Sequence, residues 1–298
     1  MKILISGSSG LVGKALVNFL SLNQHEVIKL VRKRTDLKKN EIPWDPEKKK
    51  MDLNALEGFD AVIHLAGENV SGRWTEEKKK LIENSRVAGT QLLCKSLSQL
   101  QLPPGIFISA SGVGYYGNQG DKVLTETSPK GKGFLADVCE KWEKPTQILS
   151  EKGVRVVNVR TGIVLSPNGG ALKSMLTPFR LCLGGSMGSG KQYMSWIALD
   201  DLIAIFYFIL QTDKINGVIN AVSPYPVTND EFTKTLGGVL KRPVFLTVPS
   251  FVVKKIFGEM GEALLLSGQR VRPEVLLKQK FHFTHPVLGE AFEYLLGS

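Results

Sequence analysis

Cysteine is scarce in this chain of 298 residues: Cys94, Cys139 and Cys182 lie far apart and none belongs to a Cys-x-x-Cys. An odd, sparse set excludes a disulfide framework and points to a reducing compartment. Histidine is nearly as rare. His282 and His285 stand close together, but no further carboxylate or thiol lies near them to complete a ligand set, so no metal is expected. Long apolar runs are missing too. The longest, Leu202 to Leu210, has nine residues, against about 20 for a membrane helix. The opening run, Ile3 to Ile5, is too short for a signal-peptide core. A soluble, cytoplasmic protein with no membrane partner is the expectation. Finally, no Tyr is followed four residues later by Lys, so no phenol and ammonium share a helix face one turn apart.

Acidic residues are outnumbered, 28 against 38 Lys and Arg, for a formal charge of +10. The basic residues are scattered, in Arg32-Lys33-Arg34, Lys48-Lys49-Lys50, Lys78-Lys79-Lys80 and Lys254-Lys255. None interleaves with aromatics as a single-strand nucleic-acid platform requires, so no nucleic-acid partner is expected. A solvated basic surface and one phosphate-rich ligand suffice to use the charge.

Strand and helix signals alternate through the first half. Residues 2–6, 26–31, 61–66, 106–109 and 154–159 read as apolar strands. Helices are expected over residues 11–22, about 75–100 behind a Thr-Glu-Glu cap, and 134 to about 152. Near-continuous apolar strands joined by helices imply an α/β fold, a doubly wound parallel sheet covered on both faces. Past Arg160 the chain becomes Gly-rich, then returns with a helix near 200–211 and a strand near 217–221. The expected division is a Rossmann domain over 1–165, rejoined by 195–221. Residues 166–194 and 222–298 would form a smaller α+β cap over the sheet's C-terminal edge, where ligands of open sheets bind. Asp200-Asp201 is expected to cap the helix that follows it.

The first strand runs into Gly7-x-x-Gly10-x-x-Gly13 and then a helix. Gly7 suits a tight turn, Gly10 lets backbone approach a pyrophosphate, and Gly13 allows close helix packing. The helix N-terminus supplies free N–H groups and its dipole, so a dinucleotide is expected. The end of the second strand selects which one. An acid there holds the ribose of NAD, whereas a cation suits the 2′-phosphate of NADP. This strand ends Val31-Arg32-Lys33-Arg34, with no acid until Asp36. Arg32 is the natural phosphate partner, and NADP(H) is the expected cofactor.

With His64-Leu65-Ala66-Gly67 after the third strand, these features resemble the extended short-chain dehydrogenase/reductase superfamily. The closer resemblance is to an atypical branch of epimerase-family proteins. It rests on His64-Leu65-Ala66-Gly67-Glu68-Asn69, Arg73-Trp74, Ser85-Arg86, Gly114-Tyr115-Tyr116-Gly117, Gly162-Ile163-Val164-Leu165, Ser195-Trp196-Ile197 and Gly268-Gln269-Arg270, and it spans nearly the whole chain. The resemblance implies cofactor contacts from Gly7, Gly10, Leu11, Val12, Gly13, Val31, Arg32, Leu65, Ala66, Gly67, Leu81, Arg86 and Val164.

In active extended members a Tyr and a Lys one helical turn apart protonate the substrate oxygen and bind the ribose, and a Ser or Thr completes the set. Aligned on Glu143 and on Tyr116-Gly117, those positions fall here on Leu135, Cys139 and Gly112. Ser111 and Tyr115, just beyond a strand end, are the substitute hydroxyl donors, and Glu68 is a candidate general base if its pKa is raised. Arg73 and Arg86 could hold an anion. Cys139 lacks a His to activate it and reads as a packed helical thiol. The resulting expectation is an NADP(H)-binding atypical short-chain dehydrogenase/reductase, monomeric or homodimeric, acting as an oxidoreductase or epimerase on a small polar carbonyl or sugar-like molecule. The alternative is a catalytically inactive NADP(H)-sensing protein.

Overall fold

A computed structural model describes residues 1–32 and 40–297. Eight strands form the central sheet: β1 (Lys2–Ser6), β2 (Glu26–Val31), β3 (Glu41–Asp45), β4 (Lys50–Met51), β5 (Ala61–His64), β6 (Ile106–Gly112), β7 (Arg155–Thr161) and β8 (Gly217–Ala221). Their order is β8-β7-β6-β5-β1-β2-β3-β4. Every neighbouring pair is parallel except β3 with β4. From β1 the chain steps outward through β2, β3 and β4, then returns to pair β5 with the other side of β1. That reversal is a switch point, and the crevice it opens lies beyond the C-terminal ends of β1 and β5.

Alternation within the strands explains why both faces are covered. Ile3, Ile5, Ile63, Ile108 and Val157 join one buried cluster with Leu16 and Leu20 of α1 (Leu11–Leu22) and Ile205, Phe206 and Ile209 of α5 (Leu199–Gln211). Leu4, Val62, Phe107 and Val156 point the other way, against Leu93, Cys94 and Leu97 of α2 (Glu76–Leu97). Each such side chain contributes about 1.5–3 kcal/mol by leaving water. A third core joins α4 (Gly170–Arg180), α6 (Asn229–Val239) and α8 (Leu288–Leu296) through Leu172, Leu176, Phe232, Leu236 and Phe292 around Trp196. No helix of the described residues is long and apolar enough to cross a membrane.

Local chemistry sets the helix ends. The Thr75 hydroxyl accepts from the Lys78 amide at 3.2 Å, and Glu76 and Glu77 occupy the first turn of α2, where the helix dipole favours acids. The helix expected to run to about residue 152 stops sooner: α3 spans Phe134–Glu143, a tighter turn follows over Lys144–Thr146, and a single turn over Gln147–Ser150. Pro145 has no N–H to continue the ladder. Asp200 and Asp201 do not cap α5, whose N-cap is Ala198 with no side-chain bond. Asp201 instead accepts the amides of Thr284 and His285 at 2.7 and 2.9 Å, and Asp200 accepts the Tyr294 hydroxyl. They fasten the C-terminal segment to the sheet domain.

Candidate active site

The glycine turn is built so that only backbone fits. Gly7 sits at φ +71°, and a Cβ there would lie 2.6 Å from the Leu65 carbonyl carbon. A Cβ on Gly13 would fall 2.2 Å from the Gly7 oxygen, so Gly13 is required by the turn itself as well as by helix packing. Gly10 caps α1 with no side-chain hydrogen bond. A Cβ on it would meet only ordinary contact, 3.5 Å from Gly7 O. The first amides of α1 therefore start a helix without a side-chain cap, an arrangement suited to an anion.

Ser6 locks this turn to β5. Its Oγ pairs with His64 Nδ1 at 2.6 Å and accepts the amides of Leu65 and Ala66 at 3.2 and 3.3 Å. Burial depresses the His64 pKa to about 4, so the ring is neutral, and its Nε2 has no partner among the described residues.

Cations gather around the crevice. Arg32 is exposed immediately past β2, while Lys33, Arg34 and Asp36 lie outside the described residues. Glu68, after β5, donates its amide to Ser85 Oγ at 2.9 Å and pairs its carboxylate with Lys78 Nζ at 2.7 Å. That hydrogen bond, then the charges of Lys78, Arg32 and Arg86, hold its carboxyl below the usual range. The condition set for Glu68 as a general base, a raised pKa, is therefore reversed: it is an ion-paired carboxylate among cations.

Arg86 extends from α2 beneath Gly67, where a Cβ would lie 3.3 Å from the guanidinium carbon. Its Nη1 donates to the Ile82 carbonyl at 3.1 Å and its guanidinium carbon lies 4.9 Å from the Trp142 ring centroid. It forms no ion pair among the described residues. Leu81 is 55% exposed on the same helix. Val31, Leu65 and Ala66 are half-buried at the strand ends. Leu11 and the Val164 carbonyl meet at Gly170, with 3.5 and 3.6 Å to a Cβ there. Arg73 lies beside Gly258 of α7 (Ser250–Gly261), its Nε 3.9 Å from where a Cβ there would be.

Gly112 and Cys139, which the resemblance assigns to the serine and lysine positions, do meet. The Cys139 thiol donates to the Gly112 carbonyl at 3.5 Å, and a Cβ on Gly112 would lie 3.8 Å from the sulfur. Leu135, the tyrosine position, packs one turn away on α3, 3.1 Å from a Cβ on Gly114. Burial first, then the Glu143 charge, pushes the Cys139 thiol up to about 11, so it is no thiolate nucleophile.

Behind this spot lies a polar network that the sequence does not announce. Glu143 accepts Ser111 Oγ at 2.6 Å and takes Arg160 in a fork, Nε to Oε1 at 2.8 Å and Nη2 to Oε2 at 2.7 Å. Arg160 Nη1 reaches the Tyr116 hydroxyl at 3.1 Å, which donates to Asn220 Oδ1 at 2.7 Å. The only forewarning is a charged residue in the apolar strand Val154–Val159 extended to Arg160, since a buried guanidinium demands a carboxylate. Ser111 is thus buried and engaged. Tyr115 stacks its ring on Arg160 at 3.3 Å, and its hydroxyl makes no hydrogen bond among the described residues.

Comparison with known proteins matches this architecture. Residues 3–221 fit the model of the NAD dependent epimerase/dehydratase family, and residues 248–295 fit a domain of unknown function, DUF1731. The chain is 41% identical over 293 residues to the Mycobacterium bovis epimerase family protein Mb2239, covering 98% of this chain and 96% of that one. It is 37% identical to human epimerase family protein SDR39U1 with all of both chains covered. The crystal structure of human SDR39U1 (isoform2) with NADPH superposes over the full length of both chains with a TM-score of 0.92 at 36% identity. A UDP-glucose 4-epimerase from Thermus thermophilus, solved with NAD, shares the fold at 17% identity, with a TM-score of 0.75 over all of both chains. With the Rossmann sheet, the glycine turn and a family match over residues 3–221, this chain belongs to the NAD dependent epimerase/dehydratase family.

Proposed function

We propose that this protein binds NADP(H) along the C-terminal ends of β2, β1 and β5 and acts as an atypical oxidoreductase or epimerase on a small polar carbonyl or sugar-like molecule. One observation carries the cofactor reading: an uncapped helix N-terminus at Gly10 combined with Arg32, rather than an acid, just past β2. The NADPH in the human relative's crystal structure supports it. Gly7, Gly10, Leu11, Val12 and Gly13 would receive the pyrophosphate and Arg32 the 2′-phosphate. Val31, Leu65, Ala66, Gly67, Leu81, Arg86 and Val164 would complete the contacts. When bound, the cofactor supplies or accepts the hydride. The chain's own residues orient the reactants and handle the proton. Leu135 and Cys139 cannot deliver one, Ser111 is committed to Glu143, and Glu68 to Lys78. Tyr115 is the hydroxyl left for that role. Three sparse cysteines, two of them buried, fit the reducing cytoplasm.

A second reading, a noncatalytic NADP(H) sensor, is favoured by the apolar meeting of Gly112, Leu135 and Cys139 where a proton donor is needed. The test is titration with NADPH and separately NADH, following nicotinamide fluorescence, repeated with Arg32→Ala. NADPH preference lost in the variant upholds the cofactor reading, and no binding of either overturns it. Conversion of a carbonyl and nucleotide-sugar panel, followed by NADPH consumption for reduction and by product analysis for epimerisation, which leaves the cofactor unchanged over a cycle, then separates enzyme from sensor.

A further inference from the structure

Among the described residues Arg86 is a half-buried cation without an ion-pair partner. The carboxylate whose charge acts on it, Glu68, is already paired with Lys78 at 2.7 Å, and Glu83, one turn away on the same helix, is paired with Lys141. The remaining ionisable neighbour, Cys139, is a protonated thiol. Desolvation works against the charged guanidinium, and an uncompensated buried charge is costly. Within the site its location is specific. Arg86 lies between Gly67, past β5, and Trp142 of α3, on the β5–β6 side of the crevice. Arg32 lies on the opposite, β2 side. A dinucleotide with its 2′-phosphate at the end of β2 and its pyrophosphate at the β1 turn extends its nicotinamide half toward β5 and β6, that is, toward Arg86.

We infer that Arg86 makes this site selective for the reduced cofactor: its unmatched positive charge tolerates the neutral dihydronicotinamide of NADPH and repels the cationic ring of NADP⁺. Arg86 also takes over, from a different helix, the cationic position left without a lysine at Cys139. The inference rests on the NADP(H) reading above. Because oxidised and reduced cofactors share both the 2′-phosphate and the pyrophosphate, contacts to those groups cannot discriminate between them. Charge beside the ring, where the two forms differ by one unit, can.

The test is a pair of dissociation constants, for NADPH and for NADP⁺, measured by calorimetry on the purified full-length protein and on Arg86→Gln, Arg86→Lys and Arg32→Ala. NADPH is expected to bind at least about tenfold tighter than NADP⁺, which raises the midpoint of the bound couple by about 30 mV for a two-electron exchange. Arg86→Gln should bring the two constants to within about threefold, Arg86→Lys should keep the gap, and Arg32→Ala should weaken both cofactors alike. Equal affinities in the unaltered protein overturn the inference without any variant, as does an Arg86→Gln protein that keeps the full gap. Failure to bind either cofactor overturns the NADP(H) reading itself.

Discussion

Arg160 meets Glu143 through two parallel hydrogen bonds of 2.7 and 2.8 Å, with the arginine side chain 4% and the glutamate 12% exposed. The pair joins the end of β7 to the end of α3, and through Ser111 and Tyr116 it ties in β6 as well. It therefore fixes the helix that carries Leu135 and Cys139 against the sheet.

Breaking that pair from one side strands a buried charge. Glu143→Gln or Arg160→Met is expected to cost about 3–5 kcal/mol in urea unfolding. The double substitution should recover a large part of the loss, because neither charge then lacks a partner.

The glycine turn makes a sharper prediction for ligand binding than for folding. Gly13→Ala puts a methyl group 2.2 Å from the Gly7 oxygen, a clash relieved only by shifting the turn. Strain of about 1–3 kcal/mol, taken from binding, lowers NADPH affinity by about five- to 150-fold. Calorimetric titration checks the affinity, and an unchanged far-ultraviolet spectrum checks the fold.

Much of this turn was legible in the sequence, because strand, glycine spacing and helix start are local and β1, β2, β5 and β6 are near-continuous apolar runs. Strand β3 was not. Its sequence Glu-Ile-Pro-Trp-Asp carries a proline and two acids, and it is a strand because Lys29, Leu30 and Val31 of β2 pair with it and Trp44 is buried. Glu143 and Arg160 likewise sit on separate elements and meet only in the folded protein. Asp200 and Asp201 look like capping residues until the C-terminal segment claims them, Asp201 through the Thr284 and His285 amides and Asp200 through Tyr294 of the last helix. Gly112 and Cys139, aligned in sequence with separate family positions, meet only in the fold, and the sequence does not tell that Ser111 bonds Glu143, since neighbouring strand residues alternate sides.

Acid lability should report on His64. Its folded pKa of about 4 lies below the ordinary 6.5, so the native state prefers the neutral ring. Stability is complete above pH 6.5 and falls as pH drops toward 4, with a slope of up to about 1.4 kcal/mol per pH unit from this group. His64→Asn removes the titration and should flatten that part of the stability-against-pH curve measured by urea unfolding.

Thiol chemistry separates the three cysteines. Cys182 is exposed, while Cys94 and Cys139 are buried and burial raises both thiols. A chromogenic disulfide reagent at pH 8 should titrate one thiol in the native protein and three after denaturation. Rapid native reaction of a second thiol would mean that Cys139 opens to solvent.

The eighth strand has a consequence for how the chain comes into being. β7 gains its outer neighbour only when residues 217–221 arrive, and Arg155 at its start donates to the carbonyls of Ile209, Thr212 and Ile215 in the turn leading there. A nascent polypeptide on the ribosome that has emerged no further than residue 165 has an unpaired, apolar sheet margin, the kind of edge that recruits other chains. The cofactor crevice is encoded early in the sequence, but the sheet beneath it is closed only by the later segment, so the two halves of this molecule must be finished together.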